Sequence, residues 1–153
     1  LRPAAIVEGP DFRFGKARAG DVALLAALGR ALRPEHAFDV DVVAPVEIDL
    51  DDQTIVRASS TMTRWLLAHG RVRDAARLLG RPHRLHGTVH RGDRRGRTIG
   101  FPTANLATDL MLPADGVYAA IATLPDGATH PAAVNIGTRP TFNGEERRVE
   151  AHV

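Results

Sequence analysis

A change of period near residue 82 constrains this chain more than any other feature. Before it, apolar residues return at helical spacing; after it, no helical period is found. The segments LHGTVH, GVYAAIATL and AAVNIG read instead as short strands, separated by turn signals such as Pro125-Asp126-Gly127. A part that mixes helix and strand, followed by a part that is all strand, predicts two portions rather than one mixed sheet. The division expected is residues 1–81, an α/β portion, and residues 82–153, an all-β portion.

Within the first portion, residues 4–7 (AAIV) predict a buried strand and the Gly- and Pro-rich EGPDFRFGKARAGD a loop. Gly20-Asp21 opens a helix on which Val22, Leu24, Leu25, Leu28 and Leu32 recur as the apolar stripe, and Pro34 stops it. FDVDVV (38–43) alternates apolar and acidic residues, as a strand does. Ser59, Ser60 and Thr61 can cap a helix TRWLLAHG that Gly70 closes, and VRDAARLLG follows as a second helix to Gly80. The chain opens near AAIV without a methionine and stops on the strand-like VEAHV, so it reads as a piece of something longer.

Composition narrows the function classes. With 44% hydrophobic and 25% charged residues the chain can build a core, and with no cysteine it is not a disulfide-stapled scaffold. No apolar run approaches the roughly 18 residues of a membrane span, and LRPAAIVEGP lacks the apolar core of a signal peptide. A cytoplasmic protein with no membrane partner is expected. The formal net charge is only +2, yet the pI is about 9.9, because Lys16 is the sole lysine among the 20 basic residues. Arginine suits bidentate contacts to phosphate, which makes nucleotides or nucleic acid candidate partners. A plain preference for arginine over lysine explains the same numbers. The oligomeric state is not legible.

The stretch 96–106, GRTIGFPTANL, carries the chemistry. If FPTANL is extended, Thr103 and Asn105 point to one side and offer a hydroxyl and an amide oxygen together. Hard oxygens of this kind suit Mg²⁺, which takes few protein ligands plus substrate phosphates. Gly92, Gly96 and Gly100 let backbone N–H groups curl around an anion, and Arg97 can hold a phosphate oxygen. A glycine-rich hairpin with Thr103 and Asn105 in turn roles fits the pattern equally well. His83, His86 and His90 are spaced like metal ligands, but on a strand positions 83 and 86 face opposite sides, so surface or packing roles are expected.

GDRRGRTIGFPTANL, LPADGVYAA, AVNIGTRPTF and VEAHV occur in that order, and together they resemble bacterial riboflavin kinase. VEGPDFRFGKARAGD and ASSTMTRWLLAHGRVRDAARLLGRPHRLHGTV resemble the adenylyltransferase half of bifunctional riboflavin kinase/FMN adenylyltransferase, or FAD synthetase. The resemblance implies an α/β nucleotidyltransferase-like portion followed by a Greek-key barrel of six antiparallel strands, both incomplete. It implies transfer of the ATP γ-phosphoryl to the ribityl 5′-hydroxyl of riboflavin, giving FMN, and then joining of FMN to AMP, giving FAD. Thr103 and Asn105 would then meet Mg²⁺ and nucleotide phosphate, Arg97 would lie near the phosphates, and Glu150 would be the base on the hydroxyl. Read without the resemblance, Glu150 is an ordinary exposed strand residue. Ser59, Ser60, Thr61 and Arg64 match the block that helps bind ATP phosphates; ordinary helix capping also accounts for the hydroxyls. Asp11, Phe12, Phe14 and Gly15 match a block associated with the flavin and nucleotide cleft, although both phenylalanines suit a core.

Two departures stand out. Thr63 occupies the place of the usual Ile, for which a mild effect is expected. The amino-terminal HxGH motif that stabilises departing phosphates is absent from these residues. The resemblance also implies a further strand pair and a helix after Glu150 that cover the flavin; with the barrel left open, the isolated piece is expected to be catalytically weak or dead. An arginine-rich β-barrel that binds nucleic acid is the alternative, but with aromatics at 5% it offers few stacking platforms, and no nucleic-acid partner is expected.

Overall fold

The computed structural model describes residues 3–90, 103–141 and 144–153. The chain divides into two compact units, Leu1–Glu47 and Ile48–Val153. The sequence change near residue 82 falls inside the second.

In the first unit, strand β1 (Ala5–Glu8) pairs in parallel with β4 (Asp39–Val42), and helix α1 (Val22–Ala31) lies between them in sequence and against β4 in space. A short antiparallel pair, β2 (Arg13–Phe14) and β3 (Gly20–Asp21), precedes the helix. Asp21 caps α1, its carboxylate accepting from the Leu24 N–H at 2.9 Å. The apolar stripe differs from expectation. Leu24, Leu28 and Leu32 are each nearly half exposed, and the inward face is Val22, Leu25, Ala26 and the buried Gly29. The reason is close approach: a side chain at Gly29 would run into the carbonyl and ring of Phe38, so only glycine lets the helix settle there.

The expected nucleotidyltransferase-like α/β architecture is not evident. A wound parallel sheet is covered by helices on both faces. Among its described residues this unit has one parallel strand pair and one α-helix, and Val7, Val42 and Val43 remain half exposed or more.

The second unit begins with β5 (Glu47–Asp49) paired to β6 (Ile55–Arg57), then α2 (Ser60–Ala68) and α3 (Val72–Leu79). Leu50, Leu66, Leu67 and Ala75 form its buried apolar cluster, with Val56, Met62, Val72 and Leu78 around them. An ion network ties the β5–β6 turn to the helices. Asp74, only 3% exposed, accepts the Asp51 N–H at 2.8 Å and the Arg71 guanidinium at 2.7 and 2.8 Å. Arg71 reaches Asp52 at 2.9 Å, and Arg77 reaches Asp51 at 2.7 Å and the Asp49 carbonyl at 3.0 Å. The Arg71 hydrogen bond, helped by the Thr54 N–H, holds the Asp52 carboxyl down at about 2. Gly80 ends α3 in the left-handed conformation, as the sequence predicts.

The rest is one antiparallel sheet in the order β7-β8-β11-β10-β9, formed by β7 (Thr88–His90), β8 (Ala104–Ala107), β9 (Gly116–Thr123), β10 (Thr129–Thr141) and β11 (Gly144–His152). β9, β10 and β11 follow one another as hairpins, and β8 lies beside β11, which is the Greek-key arrangement expected. This sheet has five strands among the described residues. The Pro125-Asp126-Gly127 turn forms as predicted, with Asp126 accepting the Ala128 N–H at 2.9 Å. The helical hairpin is hooked to the connection that leads into β9. The Ala114 N–H donates to the Leu67 carbonyl at 2.9 Å, and the Tyr118 hydroxyl donates to the Ala114 carbonyl at 2.6 Å beside Gly70.

Candidate active site

Successive residues of a strand face opposite sides, so the register of the sheet decides which side chains meet. One row across it reads Val89, Leu106, Val149, Ile136 and Gly116. Val149 and Ile136 are 3% and 2% exposed, so this row lies on the packed face. The next row, on the other face, reads His90, Asn105, Glu150, Asn135 and Val117. Four neighbouring strands thus bring four polar side chains side by side. Directly opposed residues of an antiparallel pair have Cβ atoms about 4.5–5.5 Å apart.

Asn105 and Glu150, two of the residues the sequence singles out, are therefore direct cross-strand neighbours on one face. Both are half-buried, while Asn135 and His90 are exposed. Thr103 is exposed and stands just before β8, two residues from Asn105. Gly92, Gly96, Arg97 and Gly100 lie outside the described residues. Asn135 is absent from the sequence-derived set. Its signal was the alternation in AVNIG, where a polar side chain sits between Val134 and Ile136 and must face away from them.

On the packed face, Arg147 fastens the connection between β8 and β9. Its Nε and Nη2 donate to one oxygen of Asp115 at 3.0 and 2.7 Å, and Nη2 also donates to the Pro113 carbonyl at 2.6 Å. The strand is thereby braced three residues before Glu150.

The remaining residues singled out from the sequence fall elsewhere. Ser59 is the cap of α2, its hydroxyl accepting the Met62 N–H at 3.1 Å, and Thr63 donates its hydroxyl to the Ser59 carbonyl at 2.9 Å. The Ile-to-Thr departure is thus absorbed by a helix-start hydrogen bond. Ser60, Thr61 and Arg64 are exposed on the first turns of α2, and a shallow hollow of about 260 Å³ is lined by Ser59, Thr61, Met62 and Trp65. Trp65 stacks on His69 with ring centres 4.0 Å apart. Asp11, Phe12, Phe14 and Gly15 belong to the first unit, where the two phenyl rings stack at 5.8 Å. His83 bonds the Met111 carbonyl at 2.9 Å, and no group of three or more His, Cys, Asp or Glu side chains placed to hold a metal ion is found among the described residues.

Residues 79–153 match the flavokinase family, riboflavin kinase. The whole chain is 39% identical to the bifunctional riboflavin kinase/FMN adenylyltransferase of Escherichia coli (strain K12), covering 100% of this chain and 46% of that protein. The proteins of the same name from Haemophilus influenzae and Listeria monocytogenes are 39% and 37% identical, over 95% and 92% of this chain. The chain spans about half the length of the curated relatives it matches. Among solved structures, a protein titled macrolide-efflux protein from Streptococcus pneumoniae has a TM-score of 0.74 at 34% identity, covering 94% of this chain and 43% of that one. The flavokinase part is thus of riboflavin kinase-like barrel type, and its Asn105–Glu150 row lies within the residues matched. Among the described residues no helix is long and apolar enough to cross a membrane.

The nucleic-acid-binding alternative gains nothing from these relatives. Among the described strands of the flavokinase sheet, Tyr118 is the one large aromatic side chain, and its hydroxyl is engaged at Ala114.

Proposed function

We propose that residues 82–153 are the amino-terminal part of a riboflavin kinase barrel that transfers the γ-phosphoryl of ATP to riboflavin, giving FMN. The carrying observation is the register that opposes Asn105 to Glu150 on one face of the sheet. Phosphoryl transfer asks a protein mainly for alignment and charge neutralisation. Glu150 accepts the proton of the ribityl 5′-hydroxyl as that oxygen attacks phosphorus. Thr103 and Asn105 present two neutral, hard oxygens close to that carboxylate, a donor set that fits Mg²⁺ bearing its own waters and ATP phosphates. When bound, Mg²⁺ would neutralise charge across the phosphates. Gly92, Gly96, Arg97 and Gly100 are proposed as the phosphate cradle on the strength of the family likeness alone.

Residues 1–81 are proposed as the carboxy-terminal part of an FMN adenylyltransferase domain. Asp11, Phe12 and Phe14 would serve its flavin and nucleotide cleft, and Ser59, Ser60, Thr61 and Arg64 the ATP phosphates. The exposed hydroxyls at the start of α2 support this, because free N–H groups and the helix dipole favour anions there. A cytoplasmic, FAD-forming enzyme with ATP, riboflavin and FMN as its small-molecule partners is the reading as a whole.

The test is formation of FMN from riboflavin and Mg·ATP by the completed protein, with its barrel closed, and by its Asn105→Ala and Glu150→Gln variants. Loss of activity in both is expected. Full activity in both overturns the residue roles.

A further inference from the structure

The row across the sheet continues past the two residues that the kinase reading uses. Glu150 has a direct neighbour on each side: Asn105 on β8 and Asn135 on β10. The two amides are not equivalent. Asn105 stands two residues from Thr103, so its oxygen is the one available to a metal ion that carries the phosphates. Asn135 lies across Glu150 from that pair and has no such duty. Its other strand neighbour is Val117, which has no polar group to compete for the amide.

The two ladders also differ in how firmly they set position. β11 pairs with β8 at three positions, Val149 to Ala151. It pairs with β10 at nine, from Ala133 opposite His152 to Thr141 opposite Gly144. A long hairpin ladder fixes register, since a slip by one residue would move every side chain to the other face. The Asn135–Glu150 opposition is therefore the more firmly set of the two strand pairings of Glu150.

A base must aim one carboxylate oxygen at a hydroxyl, and a carboxylate on a freely turning side chain does not. A neutral N–H donor at the second oxygen restrains it without cancelling its charge, as a lysine or arginine there would. We propose that Asn135 is a positioning residue for Glu150: its side-chain N–H donates to one carboxylate oxygen and leaves the other aimed at the acceptor hydroxyl. This rests on the riboflavin kinase reading above.

The experiment has two arms on the whole protein. In the first, steady-state kinetics of riboflavin phosphorylation are measured for Asn135→Ala, Asn135→Ser and Asn135→Asp. Loss of one hydrogen bond to a charged group predicts a kcat for Asn135→Ala lower by about tenfold to a hundredfold. KM for riboflavin and for Mg·ATP should stay within about twofold, since the contact is not to substrate. Asn135→Ser, which keeps a donor, should recover part of the rate, and Asn135→Asp, which offers no donor, should not. Added to Glu150→Gln, Asn135→Ala should cost nothing further, because residues that act as one unit are not additive.

In the second arm, the side-chain NH₂ signal of Asn135, identified by its loss in Asn135→Asp, is followed by NMR in the presence and absence of the Glu150 carboxylate. It should move in Glu150→Ala. An unmoved signal, an unchanged kcat in Asn135→Ala, or additive costs with Glu150→Gln would each overturn the proposal. If the signal moves but the unmodified protein phosphorylates no riboflavin, the pairing stands and the kinase reading falls.

Discussion

The helical hairpin α2–α3 and the polar row on the sheet use polar groups in opposite ways. In the hairpin Asp74, Arg71 and Arg77 each have a counterpart. Asp74 is almost wholly buried and takes a backbone N–H and a guanidinium, and Arg71 divides itself between two carboxylates. On the sheet, Asn105, Glu150 and Asn135 stand together on a face that solvent reaches, opposite the row that carries the core. A buried ion group left half-paired is costly, so the hairpin network serves shape. A carboxylate between two amides on an open face costs little to keep and is free to act on something else.

The contrast is sharpened by variants that separate activity from stability. Glu150→Gln should lower riboflavin phosphorylation on the order of 10³-fold, while the denaturation midpoint barely moves. Were its stability to fall as well, the row would be structural. Asp74→Ala should behave inversely. Removing one partner of a buried pair is expected to cost about 3 kcal/mol of unfolding free energy, read from urea denaturation, with kcat retained well below the melting temperature. Gly70→Ala comes next. Its φ of +71° disfavours any side chain, and the new methyl would sit 3.2 Å from the Tyr118 hydroxyl. A loss of about 1 kcal/mol or somewhat more is expected by the same measurement.

The smallest effect concerns acid. The Asp52 carboxyl is held below its ordinary value, to about 2, by Arg71 and Thr54. A depressed folded-state value means stabilisation that is full above the unfolded value near 4 and lost as pH falls toward 2. Asp52→Asn should therefore unfold with less dependence on pH in that window and differ little from the parent at pH 2. An unchanged acid limb would show that the Asp52–Arg71 contact contributes nothing.

Local signals were legible in the sequence wherever one residue decides the outcome. Asp21 and Ser59 cap helices, Gly80 ends one, and Pro125-Asp126-Gly127 turns a hairpin, each by chemistry contained in a few residues. What could not be read depends on distant partners. The leucine stripe of α1 suggested a packed face, but Gly29 against Phe38 decides how the helix is turned. Arg71 and Arg77 find Asp49, Asp51, Asp52 and Asp74 only once the β5–β6 turn folds back. The pairing of Asn105 with Glu150 needed the fold to supply the register, although alternation alone put both on strand faces. Asn135 escaped notice for the same reason: nothing in AVNIG says which strand will lie beside it.

The hook formed by Leu67, Ala114 and Tyr118 has a bearing on how this protein is taken apart. Because it joins α2–α3 to the sheet within one compact unit, an excision that starts at residue 82 would strip away the helices on which that end of the sheet leans. A dissection placed ahead of β5 keeps the hook intact, and the short helical pair should melt together with the strands as a single cooperative block.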